Sequence, residues 1–293
     1  MKRGLTLRFI NYKNGDSIRL GIKTDQGIID VEQAAKTYAL DMPTKIEDVI
    51  AGGDTAIMQL SSLLEKETAY LLEEDLVYAP CVTNPEKIIC VGLNYVDHAN
   101  ESNMDIPTSP VLFSKFNNSL AAHNQTIELP KGAEKFDYEV ELVIVIGKEA
   151  ANVSKEEALS YVFGYTVGND LSARDLQFRS GQWLLGKSLD NFGPVGPYLV
   201  TADELDPSNL DIECRVNGDV KQKANTRDMI FDCATLISYI SEYMTLKPGD
   251  IIFSGTPEGV VLGYPEEQQE WLKPGDEVQV SVEQIGTLVN VLK

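Results

Sequence analysis

The sequence predicts a β-rich, mixed α+β fold in which mixed sheets form a roll or barrel. From Lys87 to the end of the chain, short runs of strand-forming residues alternate with turn signals such as Asn-Gly-Asp and Pro-Gly-Asp. Helical patterns are few: residues 154–163, where Ser154 and Glu157 predict a capping box, and residues 231–244. So few crossover helices argue against a doubly wound parallel sheet.

The first part of the chain has a different pattern. It predicts a small N-terminal α/β domain, residues 1–80, before a larger β-rich domain, residues 81–293. Two runs that alternate like strands are joined by a turn at residues 13–16, and a third strand pattern follows. Two helical patterns then cover residues 31–40 and 55–67. Neither part contains a G-x-G-x-x-G or a P-loop motif, so neither NAD nor ATP is indicated.

Composition argues against several classes of protein. The formal net charge of −20 argues against nucleic acid or an anionic membrane as a partner. No apolar run approaches the roughly 20 residues of a membrane span. The apolar stretch near the N-terminus is too short and too interrupted for a signal peptide. The four cysteines form no C-x-x-C pair, which favours reduced thiols in a cytoplasmic protein.

Acidic residues in the segment 136–149 raise the first functional question. Read as a strand, the segment places Asp137, Glu139 and Glu141 on one face, just before an apolar run. An edge strand can carry such acids on a solvated face, but at the mouth of a buried strand they are costly unless paired or bound to a cation. Asp170, at the end of another predicted strand, supplies a further carboxylate. Glu139, Glu141 and Asp170 would suit Mg²⁺, Mn²⁺ or Ca²⁺, although spacing does not exclude Asp137.

A second pattern predicts a proton-transferring pair. His98 and Glu101 stand three residues apart, so they are neighbours if their short segment is helical. Glu101 would then fix the tautomer of His98 and make it a general base for water. The alternative is an ordinary pair on the surface. The other histidine, His123, has no such context and is expected to be structural.

The third pattern is basic. Lys115, Arg174 and Lys187 would each be a solvated surface residue if considered alone. The segment around Lys187 is apolar and rich in glycine and proline, which predicts a place in a pocket wall. Residues 249–260 predict a strand that ends in a Gly-Thr-Pro-x-Gly turn, whose backbone can approach a ligand closely. An ordinary tight turn has the same pattern.

Taken together, these segments resemble the fumarylacetoacetate hydrolase family. They occur in the family's order and cover roughly residues 87–293. The matching segments are VGLNYVDHANE, LFSKF, DYEVELVIVIGK, GYTVGNDLSARDLQ, GKSLDNFGPVGP and MTLKPGDIIFSGTPEGV. The resemblance implies the family's β-roll fold and a homodimer with the active site built around the sheet.

The resemblance also implies a role for each candidate residue. Glu139, Glu141 and Asp170 match the positions that bind Mg²⁺ or Mn²⁺, which sets Asp137 aside. His98 and Glu101 match the water-activating pair of the family's shorter members, on a segment that can order over the ligand as a lid. Lys187 is expected to contribute charge or a proton to catalysis. The positions around the substrate are matched by Lys115, Arg174, Gln177, Lys187 and Thr256.

The reaction implied is hydrolysis of a C–C bond in an acylpyruvate, a small anionic 2-oxo acid, through a metal-stabilised pyruvate enolate. Decarboxylation of oxaloacetate forms the same enolate. The alternatives are an isomerase or decarboxylase of 2-hydroxyhepta-2,4-diene-1,7-dioate-type diacids, a hydrolase of keto-deoxy sugar acids and, more remotely, a non-catalytic metal-binding or ligand-binding protein. Asn94 stands where the long members have an acidic metal ligand, which favours the shorter members and argues against fumarylacetoacetate as the substrate.

Overall fold

A computed structural model describes residues 6–66, 69–102 and 104–293. Its strands are β1 (Arg8–Asn14), β2 (Ser17–Thr24), β3 (Gly27–Asp30), β4 (Tyr70–Leu71), β5 (Tyr78–Ala79), β6 (Ile88–Gly92), β7 (Val111–Lys115), β8 (Leu120–Ala121), β9 (Phe136–Asp137), β10 (Val140–Ile146), β11 (Val162–Asn169), β12 (Ser172–Ala173), β13 (Gly193–Thr201), β14 (Asp211–Val216), β15 (Asp219–Asn225), β16 (Ile251–Phe253), β17 (Glu277–Val282) and β18 (Gly286–Val291). Its α-helices are α1 (Val31–Tyr38), α2 (Ile46–Ser61), α3 (Val96–Glu101), α4 (Lys155–Ala158), α5 (Arg174–Gln177), α6 (Leu184–Lys187) and α7 (Cys233–Tyr243).

Most strands belong to one mixed sheet with the order β4-β3-β2-β1-β13-β11-β10-β16-β6-β7. Along this path only β16 and β6 run parallel. A second sheet, β15-β14-β17-β18, packs against β10, β11 and β13. The strand-rich, mixed α+β prediction is therefore confirmed. The large sheet is open rather than closed into a barrel, since β4 and β7 end the path without pairing with each other in the described part of the chain.

The central strand β10 is buried along its whole length. Leu142, Ile144 and Ile146 point into the core shared with the second sheet. Val143 and Val145 point into the core shared with the N-terminal strands and helices. Burial on both faces explains why this stretch is an uninterrupted apolar run instead of an alternating one.

The N-terminal strands extend the large sheet. β1 and β2 form the predicted hairpin, and β1 pairs antiparallel with β13, where Phe9 lies opposite Leu199. The helix expected at residues 55–67 begins earlier, at Ile46, and contains a break at Gly53, whose φ of 52° lies outside the helical range. The division into domains at residue 80 stays a prediction.

The predicted helix at residues 154–163 is shorter than expected. α4 ends at Ala158, and Val162 already begins β11. Ser154 occupies the N-cap position, but its hydroxyl donates to the Glu157 carboxylate at 3.0 Å instead of accepting from a backbone amide. The capping-box prediction is thus wrong, because the two side chains bond each other and not the backbone. The helix is short because pairing of β11 with β10 draws the chain into a strand from Val162. None of the described helices is long and apolar enough to cross a membrane.

The register of β10 and β11 brings distant acids together. These strands are antiparallel, with Val140 opposite Asn169 and Glu141 opposite Gly168. Just beyond the last pair, the Asp170 amide donates to the Glu139 carbonyl at 2.9 Å. The carboxylates of Glu139, Glu141 and Asp170 therefore meet at one end of the two strands.

Close packing of β11 on β13 gives a test of this core. At Gly164 an added methyl group would collide with the Val200 carbonyl of β13. We expect Gly164→Ala to lower the free energy of unfolding by about 1–3 kcal/mol or more, because the two backbones must separate. Gly132→Ala is the control, since no atom lies within 4 Å of the added group. Urea denaturation measures both, and equal midpoints would contradict this packing.

Candidate active site

Three buried carboxylates form the centre of the candidate site. Ligand oxygens of Glu139, Glu141 and Asp170 all lie within 4.8 Å of one another. Glu141 belongs to β10, Glu139 immediately precedes it, and Asp170 immediately follows β11. Each of the three residues is at most 5% exposed. This cluster consists only of oxygen donors.

Asp137 lies apart from this cluster. The segment 136–149 is not one continuous strand: β9 ends at Asp137 and pairs with β12, and β10 begins at Val140. Asp137 accepts a hydrogen bond from the Arg174 Nε atom at 2.9 Å. The expected common face of three acids is therefore interrupted at Tyr138 and Glu139, where the chain leaves the strand conformation.

Three cations surround the carboxylates. The Lys187 ammonium lies 2.6 Å from Glu139 Oε2 and 2.9 Å from Asp170 Oδ2. A terminal nitrogen of Arg174 lies 2.6 Å from Glu139 Oε1. Burial alone would raise the pKa of Glu139, but the charges of Lys187 and Arg174 outweigh it and hold that pKa well below its usual range.

Lys115 lies behind the cluster. Its ammonium is 2.6 Å from Asp170 Oδ1 and donates to the carbonyls of Lys187, Leu171 and Phe192, the last two at 3.1 and 2.8 Å. It does not line the cavity described below. This placement suits a residue that orients Asp170 and differs from the substrate contact expected from the sequence.

Glu141 is the acid that lacks a cationic partner among the described residues. Its Oε2 accepts a hydrogen bond from the Gly255 amide at 2.6 Å. Burial, together with the charges of Asp170 and Glu139, raises its pKa well above the ordinary value. A bound divalent cation would relieve this repulsion, and three carboxylates suit a hard ion such as Mg²⁺ or Mn²⁺. The donor set therefore fits the predicted metal.

His98 and Glu101 form the expected pair on the short helix α3. The His98 Nδ1 atom lies 2.8 Å from Glu101 Oε1. The other carboxylate oxygen of Glu101 accepts from the Gly259 amide at 2.8 Å. An added methyl group at Gly263 would lie 2.5 Å from the Glu101 carboxyl group, so the turn from Gly259 to Gly263 closes tightly around this acid. The Nε2 atom of His98 has no hydrogen-bond partner among residues 6–66, 69–102 and 104–293.

One cavity of about 290 Å³ joins these groups. Its volume is close to the lower end of the range for small-molecule sites, roughly 300–1,000 Å³. The polar lining consists of His98, Glu101, Ser102, Glu139, Glu141, Arg174, Gln177, Lys187 and Thr256. The rest of the lining consists of Val91, Gly92, Leu93, Met104, Phe113, Phe178, Trp183 and Leu262.

Thr256 and Gln177 both line the cavity, but they differ in the hydrogen bonds that they can still offer to a ligand. The Thr256 hydroxyl donates to the Val140 carbonyl at 2.9 Å and accepts from Gln222 at 2.9 Å. It therefore has no proton left for a ligand. The Gln177 carbonyl oxygen accepts from Arg174 at 2.9 Å, which leaves its amide hydrogens free to donate into the cavity.

Sequence reasoning missed the apolar wall. The rings of Phe113 and Trp183 meet edge to face with centroids 5.4 Å apart, and the Lys187 ammonium lies 5.1 Å from the Phe113 centroid. The feature of the sequence that indicates these rings is the apolar character of the segments that contain Lys115 and Lys187.

Asn94 has a structural role. Its side chain donates to the Ser254 and Phe231 carbonyls at 2.7 and 3.0 Å and so connects two segments of the backbone.

Comparison of the sequence with protein families assigns the chain to one of them. The family described as Fumarylacetoacetate (FAA) hydrolase C-terminal matches residues 87–293. The chain belongs to the fumarylacetoacetate hydrolase family. A relative named oxaloacetate tautomerase fahd2, mitochondrial, from Xenopus laevis is 39% identical over 293 residues, covering 98% of this chain and 90% of the relative. The human oxaloacetate tautomerase FAHD2A, mitochondrial, is 40% identical over 276 residues, covering 92% and 86%.

Solved structures of the family share the fold. Fumarylacetoacetate hydrolase from Exiguobacterium antarcticum has a TM-score of 0.81 at 33% identity, covering 98% of this chain and 99% of that one. A 5-carboxymethyl-2-hydroxymuconate delta-isomerase from Mycobacterium smegmatis has a TM-score of 0.75 at 31% identity, covering 97% and 98%. Fumarylpyruvate hydrolase from Pseudomonas aeruginosa, in complex with Mn²⁺ and pyruvate, has a TM-score of 0.65 at 31% identity, covering 72% and 90%.

Replacement of Glu141 tests the metal site without relying on turnover. Glu141→Gln can keep the bond from Gly255 and removes one buried negative charge, so we expect the metal-free melting temperature to stay the same or rise. Mn²⁺ affinity should fall on the order of 100-fold, because one ligand charge is lost. Calorimetric titration measures the affinity. Glu149→Gln, an exposed acid beyond the far end of β10, is the control, and wild-type affinity in Glu141→Gln would contradict the assignment.

Proposed function

We propose that this enzyme uses a divalent metal to interconvert the keto and enol forms of a small 2-oxo acid, with oxaloacetate as the substrate. The observation that carries this proposal is that the His98–Glu101 pair opens onto the same small cavity as the metal-binding carboxylates Glu139 and Glu141. A general base beside a Lewis-acid site can catalyse keto–enol interconversion, because the base moves the proton and the Lewis acid stabilises the enolate. The names of the Xenopus and human relatives support the choice of oxaloacetate.

The chain's own residues would bind and orient the acid. When bound by Glu139, Glu141 and Asp170, Mg²⁺ or Mn²⁺ supplies Lewis-acid stabilisation of an enolate. Lys187 adds positive charge on the polar wall. The free amide hydrogens of Gln177 would donate to a substrate oxygen.

His98 would transfer the proton. In the keto form, its Nε2 atom takes a proton from the carbon next to the keto group, and the electron pair of the broken C–H bond forms the enolate. Glu101 accepts from Nδ1, which fixes the tautomer and stabilises the imidazolium that forms. Return of the same proton to the enolate oxygen completes the enol. The reverse sequence restores the ketone.

Hydrolysis of an acylpyruvate is the second candidate. The same His98–Glu101 pair, placed beside the carboxylates, can deprotonate a water molecule. That water would attack the distal carbonyl, and the C–C bond would break with its electron pair on the carbon of the leaving pyruvate enolate, which a proton then quenches. The P. aeruginosa fumarylpyruvate hydrolase, which shares the fold, favours this candidate. Decarboxylation of oxaloacetate forms the same enolate without base or water.

Replacement of His98 tests both candidates. We expect His98→Ala to slow enol–keto exchange of oxaloacetate and hydrolysis of acetylpyruvate by about 10²–10⁴-fold, because both need the base. Metal-dependent decarboxylation of oxaloacetate should persist. Ultraviolet absorbance follows the enol and the acylpyruvate, and pyruvate release follows decarboxylation. His123→Asn is the matched control, because His123 bonds the Val289 amide at 3.1 Å and lies outside the cavity lining. Wild-type rates in His98→Ala would refute the pair's role.

A substrate panel separates the two candidates. With Mn²⁺-loaded enzyme, we expect the largest kcat/KM for enol–keto exchange of oxaloacetate, and a smaller value for hydrolysis of acetylpyruvate or fumarylpyruvate. A larger value for an acylpyruvate would make hydrolysis the principal reaction. 2-Hydroxyhepta-2,4-diene-1,7-dioate and a keto-deoxy sugar acid complete the panel.

The homodimer and the cytoplasmic location remain predictions.

A further inference from the structure

Asp137 is a buried carboxylate that the proposed reaction does not use. Its side chain is fully buried, and Oδ2 accepts from Arg174 Nε at 2.9 Å and from the Leu262 amide at 3.1 Å. Its Oδ1 accepts from the amides of Tyr138 at 2.9 Å and Val261 at 2.8 Å. All four partners donate, so an ionised carboxylate, which only accepts, fits here, whereas a neutral amide would place its own hydrogens against a donor.

The backbone that Asp137 holds also bonds two carboxylates of the site. The Gly255 amide donates to Glu141, and the Gly259 amide donates to Glu101. Asp137 accepts from two further amides of this stretch, at residues 261 and 262. Three carboxylates, those of Glu101, Asp137 and Glu141, therefore bond one loop, residues 255–262. A displacement of this loop would move the partner of Glu101 and the cavity wall at Leu262 together.

On its other side, Asp137 fixes Arg174. With Nε bonded to Asp137, the two terminal nitrogens point to Glu139 at 2.6 Å and Gln177 at 2.9 Å. A guanidinium group is planar, so a hydrogen bond at Nε sets the direction of both terminal nitrogens, which together form the Arg174 fork. The charges of Asp137 and Glu139 raise the pKa of Arg174 despite its burial, which keeps the fork charged.

We propose that Asp137 is a positioning residue that fixes Arg174 relative to the 255–262 loop. It thereby places the part of the cavity wall that carries Arg174 and Gln177 relative to Glu101, the carboxylate of the proton-transferring pair. This inference rests on the proposed function for the roles of Arg174 and Glu101. Its structural content, the joint placement of the fork and the loop, is independent of the reaction.

The first experiment is a crystal structure of Mn²⁺-loaded Asp137→Asn. We expect the Arg174 fork to rotate away from Glu139 or Gln177, and the Gly259–Glu101 bond to lengthen beyond 3.5 Å, the limit of a normal hydrogen bond. An unchanged fork and loop would overturn the proposal, whatever the enzyme's reaction is. This readout separates failure of the inference from failure of the proposed function, which the substrate panel detects in the wild-type protein.

The second experiment is kinetic. We expect Asp137→Asn to lower kcat/KM for oxaloacetate by about 10–100-fold, a range typical of residues that orient a site from behind. Both KM and kcat should change, since the fork and the loop move together. Asp250→Asn is the matched control: Asp250 is also fully buried, accepts from the Lys87 and Lys247 amides at 2.8 Å, and pairs with the Lys87 ammonium at 2.9 Å. It should lose stability but keep wild-type KM and kcat below its melting temperature.

A double-mutant cycle distinguishes positioning from general destabilisation. If Asp137 acts in part through Arg174, adding Asp137→Asn to Arg174→Gln should lower kcat/KM by a smaller factor than Asp137→Asn does in the wild-type protein, because the contact with Arg174 is already absent and only the contact with the loop is lost. Multiplication of the two single effects would overturn the proposal. Asp137→Ser, which keeps one acceptor oxygen, is the second variant if Asp137→Asn does not fold. Failure of both to fold would assign Asp137 to the stability of the fold and overturn the inference as well.

Discussion

The buried carboxylates of Glu139, Glu141 and Asp170 repel one another, and the surrounding side chains are arranged to offset that repulsion. Glu139, Glu141 and Asp170 share one small, buried volume, where like charges repel strongly. Lysine and arginine groups neutralise Glu139 and Asp170, yet within the described part of the chain Glu141 is bonded by a backbone amide and by no cation. A fold gains no stability from such a cluster unless a further cation completes it. The cluster is therefore best explained as a metal site that the apolar core has been built to hold.

The three acids are held at the paired ends of β10 and β11 and not on flexible loops. Glu139 and Asp170 flank the paired ends of β10 and β11, and Glu141 lies within β10, whose remaining residues are all buried. Positions fixed by a paired sheet are more exact than positions on an exposed loop. The proton-transferring pair is held less rigidly, on the short helix α3, but the Gly259 amide fixes Glu101 from the opposite wall.

Local patterns predict the three carboxylates and the His98–Glu101 pair that the structure brings together, whereas Gln177 and Thr256 are expected only from the family resemblance, and the apolar wall is not predicted. The acids at Glu139 and Glu141 were identified because they precede a long apolar run, and the spacing of His98 and Glu101 predicted a helical pair that the structure contains. The pairing of β1 with β13 joins residues about 190 positions apart, which periodicity cannot reveal. For the same reason, the position of Lys115 behind Asp170 and the bonds from Asp137 to the 261–262 backbone could not be predicted. Each depends on tertiary packing between distant segments.

The sign of the local charge decides whether a protein of net charge −20 can hold the proposed anionic substrate. The cavity wall carries Arg174 and Lys187, yet both are already paired with carboxylates in the described structure. A divalent ion at the three acids would compete for the same oxygens and leave Lys187 freer to face a ligand. The metal would thus favour binding of the anion in two ways. Its own charge would attract the anion, and it would free Lys187 from its pairing with the carboxylates. Anion binding and metal binding should therefore be coupled in this family member, so that neither occurs with full affinity alone.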